Sequence, residues 1–180
     1  MLTKEKKLLD VVQSLGSVVL AFSGGVDSSL VAKAASKALP RDKVLLVTAD
    51  SQSLGAGELE ECQKLSSEWD LDWVPVQTNE FKNTQYLANQ GDRCWWCKSA
   101  LMDELEPIAI HRNAIIILGV NQDDLGDHRP GQEAAKSRGA RFPLVEAGLT
   151  KDDVRKLAQE WDLSVWDRPS MPCLSSRIPY

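Results

Sequence analysis

The chain has 180 residues, a formal net charge of −5 at pH 7 and 43% hydrophobic residues, which is the composition of an ordinary globular protein. That length suffices for one domain with its own core, and no apolar run is long enough for a membrane helix. The acidic balance disfavours nucleic-acid binding, and the charged N-terminal segment without an apolar signal core predicts a cytoplasmic protein.

Along the chain, short apolar strands alternate with amphipathic helices, which is typical of a parallel sheet covered on both faces. Strands are predicted over residues 17–22, 43–49, 73–76 and 113–119. The last predicted helix begins at Thr150, which with Asp153 three residues later forms a capping box. We therefore predict an α/β fold, a doubly wound parallel sheet of about five strands whose ligand lies at the carboxyl ends of the strands.

The string SGGVDSS at residues 23–29, called the phosphate loop below, lies between the first strand and the next helix. Its two glycines let the backbone approach an anion, and the helix N-terminus adds partial positive charge. The spacings GxxxxGK[ST] and GxGxxG are missing, which disfavours a P-loop kinase and a dinucleotide-binding Rossmann site. Two glycines alone indicate only a strand-to-helix turn, but the complete string favours phosphate binding.

The four cysteines indicate metal or redox chemistry more than a disulfide framework in such a chain. Cys94 and Cys97 share one turn of a predicted helix, within reach of one metal ion or cluster. Zinc, a redox-active dithiol and an iron–sulfur cluster held by three cysteines remain alternatives. Cys173 lies in a proline-containing loop and could be the third ligand, whereas Cys62 lies in an apolar helical stripe and is expected to be structural.

The phosphate loop resembles that of the pyrophosphate-loop (PP-loop) ATPases, which include the NAD and GMP synthetases. This resemblance implies an adenine nucleotide α-hydrolase-like fold and cleavage of ATP between its α and β phosphates, with adenylation of a substrate. It also implies Mg²⁺ beside Asp27. The residues that would bind the nucleotide are Ser23, Gly24, Gly25, Asp27, Ser28, Ser29, Asp50, Ser51, Gly119 and Asn121.

Later segments resemble the LarE family of ATP-dependent sulfurtransferases, which serve lactate racemase maturation by building its nickel-pincer nucleotide. These segments are residues 121–124, 127–131, 141–144, 166–169 and 173–180. The resemblance implies sulfur insertion into an adenylated carboxylate of pyridinium-3,5-biscarboxylate mononucleotide. It further implies a [4Fe-4S] cluster on Cys94, Cys97 and Cys173 that delivers sulfide. The expected catalytic residues are Cys173, Asp27, Lys98 and Arg177, the last two because an adenylated substrate needs nearby cations.

Several alternatives stay open. Cys173 could itself be a sacrificial sulfur donor that becomes dehydroalanine, or the protein could be a tRNA thiolase, which the acidic balance disfavours. A nucleotide-binding regulatory domain is the non-enzymatic alternative. Amidation by ammonia, as in the NAD and GMP synthetases, is disfavoured because that reaction would not require the three cysteines Cys94, Cys97 and Cys173.

The resemblance also predicts the organisation and the partners of the protein. Residues 1–165 are expected to form the PP-loop ATP-binding domain. Residues 166–180 are expected to begin a catalytic loop that leads to a C-terminal substrate domain absent from this chain. The expected partners are a small nucleotide substrate and a sulfide donor, with no nucleic acid and no membrane. The expected assembly is a homo-oligomer.

Overall fold

The computed structural model describes residues 2–88, 91–126 and 130–169, and a parallel β-sheet lies at the centre of this part of the chain. The sheet has the strand order β3-β2-β1-β4. The strands are β1 (Val18–Ala21), β2 (Val44–Asp50), β3 (Asp72–Gln77) and β4 (Ile115–Leu118). The helices are α1 (Leu2–Leu15), α2 (Val26–Ala38), α3 (Glu58–Glu68), α4 (Thr84–Ala88), α5 (Arg93–Arg112), α6 (Pro130–Ser137), α7 (Pro143–Glu146) and α8 (Lys151–Glu160).

The central strand β1 is the most deeply buried part of the sheet. Val18, Val19 and Leu20 are each 0% exposed, as expected for a strand that is covered on both faces. Ala21, the last residue of β1, pairs with Val47 of β2 and with Leu118 of β4. All the strands are parallel, so the segments that follow β1 and β4 leave the sheet side by side at one edge.

Helices cover both faces of the sheet and form two apolar cores. On one face, Leu30 of α2 and Leu157 of α8 pack in one core with Leu20. On the other face, Met102 and Leu105 of α5 belong to the core that contains Val19. The doubly wound α/β fold predicted from the alternating pattern is confirmed. Within the described ranges, no helix is both long and apolar enough to cross a membrane.

The predicted number of about five strands was wrong for the described part of the chain, which has four. Next to β4 the chain makes a single parallel bridge, Ile117 with Arg141, and does not continue as a strand. The cause is Pro143, which begins α7 two residues later. Because proline lacks an N–H donor and favours the first turn of a helix, the chain leaves the sheet after one bridge.

The predicted capping box of α8 is confirmed and is tied to the N-terminal helix. The Asp153 N–H donates to Thr150 Oγ1, and the Thr150 N–H donates to Asp153 Oδ2. Lys4 of α1 donates from Nζ to the same carboxylate. The Lys4 ammonium, followed by the capping bonds, lowers the pKa of Asp153 to about 2. The start of α8 is therefore anchored by its own cap and by α1.

The low pKa of Asp153 makes stability depend on acid pH. Asp153 contributes stability above its ordinary pKa of 3.8, and this contribution is lost as the pH falls from about 4 to about 2. We expect Asp153→Asn to cost about 1 kcal/mol at neutral pH and to flatten the loss of stability in that pH window. Urea unfolding at several pH values measures both effects. Asp152→Asn is the control, because Asp152 is exposed and pairs only at the surface with Lys156. If the free energy of unfolding depended on pH in the same way in both variants, Asp153 would not be the source of the acid-dependent stability.

Candidate functional site

The phosphate loop closes on itself through its serine side chains. The Ser23 N–H donates to Ser28 Oγ over 3.3 Å, and Ser28 Oγ donates to the Gly25 carbonyl over 3.1 Å. Gly24 has a φ of +72°, a conformation that favours glycine. Helix α2 begins after Gly25 without a side-chain cap, so its N-terminal N–H groups remain available to an anion.

A second glycine permits the close approach of β4 to the start of α2. A Cβ atom on Gly119 would lie 2.5 Å from the Ser28 nitrogen and 2.7 Å from the Ser28 Cα. Only a residue without a side chain fits such a distance. The segment after β4 therefore runs directly across the first turn of α2.

This crossing brings together predicted residues that are far apart in the chain. Asn121 Nδ2 donates to Asp27 Oδ1 over 3.0 Å, and Asn121 itself is buried. The other carboxylate oxygen, Oδ2, accepts a hydrogen bond from Lys151 Nζ. Sequence reasoning missed Lys151. The sequence showed that Lys151 directly follows the cap of α8. It gave no sign of the contact with Asp27, because the two residues are 124 positions apart in the chain.

Two cavities flank the phosphate loop and share Ser23, Asp27 and Lys151 in their linings. The β4 cavity, of about 600 Å³, is also lined by Ala21, Ser28, Lys98, Leu118, Gly119, Val120, Asn121, Asp123, Asp124 and Gln132. The α3 cavity, of about 220 Å³, is also lined by Gly24, Gly25, Val26, Glu58, Glu61, Arg168 and Pro169. Seven of the ten predicted nucleotide-binding residues, and Lys98, therefore line one or both cavities.

The remaining three predicted nucleotide-binding residues line neither cavity. Ser29 is 0% exposed, and its hydroxyl has no hydrogen-bond partner within the described part of the chain. Asp50, at the end of β2, accepts a hydrogen bond from Gln77. Ser51 Oγ lies 2.8 Å from Ser53 Oγ. The roles of Ser29, Asp50 and Ser51 stay predictions.

The CxxC pair lies near the start of α5, the helix that contributes Lys98 to the β4 cavity. Cys94 is exposed and Cys97 is partly buried, and Lys98 follows directly in the cavity lining. Gly131 of α6 packs on this part of α5, since a Cβ atom there would lie 2.9 Å from the Cys94 carbonyl oxygen. Over the described ranges, no three His, Cys, Asp or Glu side chains are grouped to hold a metal ion. Cys173 and Arg177 lie outside these ranges, as do residues 127–129 and 173–180 of the segments that carry the resemblance.

Arg168 joins the end of the described chain to the phosphate loop. Its Nη1 donates to the Gly24 carbonyl over 3.3 Å and lies 3.9 Å from Glu61 Oε1. Arg155 of α8 donates in turn to the Arg168 carbonyl over 3.2 Å. Pro169, the next residue, lines the α3 cavity. Residues 166–169 were part of the sequence resemblance, but nothing in the sequence predicted that Arg168 contacts the phosphate loop.

Cys62 lies directly beneath the phosphate loop. It is 1% exposed, and a Cβ atom on Gly24 would lie 3.1 Å from its Sγ. Burial raises the pKa of the Cys62 thiol, which keeps it protonated and unreactive. Its burial agrees with the structural role predicted from its apolar stripe.

Comparison with known proteins gives one family match and several relatives. Residues 3–89 match the family described as NAD synthase. The chain is 46% identical to the uncharacterized protein slr1717 of Synechocystis, over 98% of this chain and 67% of that protein. It is 35% identical to the pyridinium-3,5-bisthiocarboxylic acid mononucleotide synthase of Lactiplantibacillus plantarum, over 99% of this chain and 65% of that enzyme. The chain thus spans about two thirds of the length of these curated relatives.

Among solved structures, the NH3-dependent NAD synthetase of Campylobacter jejuni superposes with a TM-score of 0.74. The match covers 94% of this chain and 77% of that one, at 21% sequence identity. An identity this low shows a common fold and carries no statement about substrate.

The close approach at Gly119 yields a direct test of the site geometry. We expect Gly119→Ala to displace the first turn of α2, at a cost of about 1–3 kcal/mol, and to weaken ATP binding as well. Thermal unfolding and calorimetric titration with ATP measure the two effects. Gly126→Ala is the control, because a Cβ atom at that position meets nothing within 4 Å. A Gly119→Ala protein with the Tm and ATP affinity of the wild type would show that the two segments are not in contact.

Proposed function

Since the chain belongs to the NAD synthase-like ATP pyrophosphatases of the PP-loop class, and to one family with Synechocystis slr1717, we propose that it catalyses ATP-dependent sulfur insertion. The proposed substrate is pyridinium-3,5-biscarboxylate mononucleotide, as in the LarE family, to which the Lactiplantibacillus plantarum enzyme belongs. One observation carries the proposal: Lys98, next to the CxxC pair, lines the same cavity as Asp27 and the phosphate loop. The helix that carries the two thiols therefore also contributes Lys98 to the cavity at the phosphate loop.

The first step would activate a carboxylate. A substrate carboxylate oxygen attacks the α phosphorus of ATP, the bond from that phosphorus to the bridging oxygen breaks, and pyrophosphate leaves with the electron pair. The phosphate loop and the N-terminus of α2 would hold the departing pyrophosphate. Mg²⁺ usually binds one or two protein carboxylates together with phosphate oxygens, and Asp27 supplies such a carboxylate at the loop. When bound, Mg²⁺ would neutralise part of the pyrophosphate charge.

The second step would replace oxygen by sulfur. A hydrosulfide sulfur attacks the acyl carbon, the carbon–oxygen bond to AMP breaks, AMP leaves as the anion, and the proton of the hydrosulfide is released to solvent. Lys98 lines the β4 cavity, and both Lys98 and Arg177 are proposed to stabilise the negative charge of the adenylated substrate. The product is a thiocarboxylate.

The sulfide source is proposed to be a [4Fe-4S] cluster on Cys94, Cys97 and Cys173. Two of these thiols share the first turn of α5, which suits common ligation. Cys173 follows Pro169 by four residues, a stretch of chain that spans at most roughly 14 Å. Such a cluster would leave one iron open to carry sulfide. The homo-oligomeric state and the cytoplasmic location stay predictions.

Adenylation is tested by ATP–pyrophosphate exchange. We expect exchange that depends on pyridinium-3,5-biscarboxylate mononucleotide and that falls at least about a hundredfold in Asp27→Asn, because the carboxylate that binds the metal is lost. Asp42→Asn is the control, since Asp42 lies in the turn just before β2, at the opposite end of the sheet. Exchange without the pyridinium carboxylate, or a wild-type protein without exchange, would contradict the proposed function.

The sulfur source is tested by anaerobic reconstitution with iron and sulfide. We expect a broad absorbance near roughly 400 nm that is lost in Cys94→Ser and in Cys97→Ser, since each removes a cluster ligand. Cys62→Ala should keep the absorbance, because Cys62 is buried beneath the phosphate loop. A protein that binds no cluster, and that carries dehydroalanine at Cys173 in mass spectra after turnover, would show the sacrificial route instead.

A further inference from the structure

We propose that Glu80 is a positioning residue of the nucleotide site: through Ser53 it orients the Ser51 hydroxyl group, so that Ser51 offers a nucleoside only a hydrogen-bond acceptor. The inference rests on the proposed ATP site, and it concerns the nucleoside part of ATP, whereas the phosphate loop concerns the phosphates. Three observations carry it: the burial of Glu80, the direction of the hydrogen bonds between Ser51 and Glu80, and the position of Ser51 next to the phosphate loop.

Glu80 is a buried carboxylate with few polar contacts. It is 1% exposed and lies in a short 3₁₀ helix, Glu80–Lys82, between β3 and α4. Oε1 accepts a hydrogen bond from Ser53 Oγ over 3.5 Å, and Oε2 is buried with no hydrogen-bond partner in the described part of the chain. Burying a carboxylate with so few partners costs free energy, which packing alone does not explain. The function of Glu80 is therefore expected at its contact with the Ser53 hydroxyl group.

The hydrogen bonds from Ser51 through Ser53 to Glu80, called the serine relay below, run in one direction. A serine hydroxyl has one proton, and Ser53 Oγ donates its proton to Glu80 Oε1. Ser53 Oγ therefore accepts in its contact with Ser51, whose Oγ lies 2.8 Å away and is the donor. The Ser53 N–H donates to Ser51 Oγ over 3.2 Å and occupies one of its lone pairs. The second lone pair remains, so toward a ligand Ser51 can only accept.

Ser51 directly follows β2, next to the strand that leads into the phosphate loop. β2 pairs in parallel with β1, and the Phe22 N–H donates to the Val47 carbonyl over 2.8 Å. The Thr48 hydroxyl group donates to the Phe22 carbonyl over 2.7 Å. Phe22 immediately precedes the phosphate loop, and Ser51 follows Thr48 by three residues, which span at most roughly 11 Å. A nucleotide whose phosphates lie in the loop can therefore extend its nucleoside to Ser51.

A fixed acceptor at Ser51 distinguishes bases by the group at position 6 of the purine. The 6-amino group of adenine donates a hydrogen bond, whereas the 6-oxo group of guanine or hypoxanthine accepts one. A serine that rotates freely can meet either group, because its hydroxyl both donates and accepts. Ribose hydroxyl groups also do both, so a fixed direction would make no difference to them. The serine relay therefore favours the adenine 6-amino group as the partner of Ser51.

Substitution of Glu80 should change the selectivity for the base and leave pyrophosphate binding unchanged. Glu80→Leu removes the acceptor at similar volume. In this variant we expect the preference for a non-hydrolysable ATP analogue over the matching inosine analogue to fall about three- to tenfold, as expected for one hydrogen bond. The affinity for magnesium pyrophosphate should stay that of the wild type. Glu80→Gln keeps an oxygen acceptor for Ser53 and should restore most of the preference. Calorimetric titration measures each affinity.

Ser53→Ala interrupts the same relay with a smaller change, and it provides the second arm if Glu80→Leu does not fold. Ser66→Ala is the matched control, because Ser66 is also buried but donates to the Gln63 carbonyl within α3. It should keep the adenine preference. An unchanged preference in Ser53→Ala, an equal loss of pyrophosphate and ATP-analogue affinity in Glu80→Leu, or a wild-type protein that binds both analogues equally would overturn the inference. A wild-type protein that binds no nucleotide would instead overturn the proposed function.

Discussion

The site depends on the backbone contact between Gly119 and the first turn of α2. Because Gly119 has no side chain, the segment after β4 can cross α2 at a distance that would place any Cβ atom 2.5 Å from the Ser28 nitrogen. That crossing places Asn121 against Asp27, and the next residues contact the start of α8. The phosphate loop, the Asp27 carboxylate and Lys151 are thus positioned by one close approach between the segments that follow two parallel strands.

Charges at this site differ from charges elsewhere in the molecule. Away from the loop, Arg138 forms two bonds of 2.6 Å to Glu106, a bidentate pair that joins the end of α6 to α5 and lowers the pKa of Glu106. At the loop, by contrast, Lys151 meets Asp27 through a single flexible ammonium group. A bidentate guanidinium holds one geometry, whereas a single ammonium bond can be exchanged. The bidentate pair thus fixes the packing of two helices, whereas the pair at the loop rests on one ammonium bond.

Much of the fold and part of the candidate site were predictable, because these features depend on residues that are close together in the sequence. Short apolar runs predicted the strands, the capping box predicted the start of α8, and a three-residue spacing predicted that Cys94 and Cys97 share a turn. The contacts of Lys151 and Arg168 were not predictable, since each joins segments more than a hundred residues apart. The sheet of about five strands was an expectation for the fold class rather than for a located segment, and the described part of the chain adds only the bridge of Arg141 to Ile117 before Pro143 begins α7.

Sulfur transfer requires that the sulfur source stay close to a carboxylate activated in the nucleotide site. Helix α5, which carries the CxxC pair, is fixed beside the β4 cavity by the contact of Gly131 with Cys94. On the other side of the phosphate loop, Arg168 fixes the segment that precedes Cys173. Both parts of the proposed thiol set are thus attached to the walls that would hold the triphosphate.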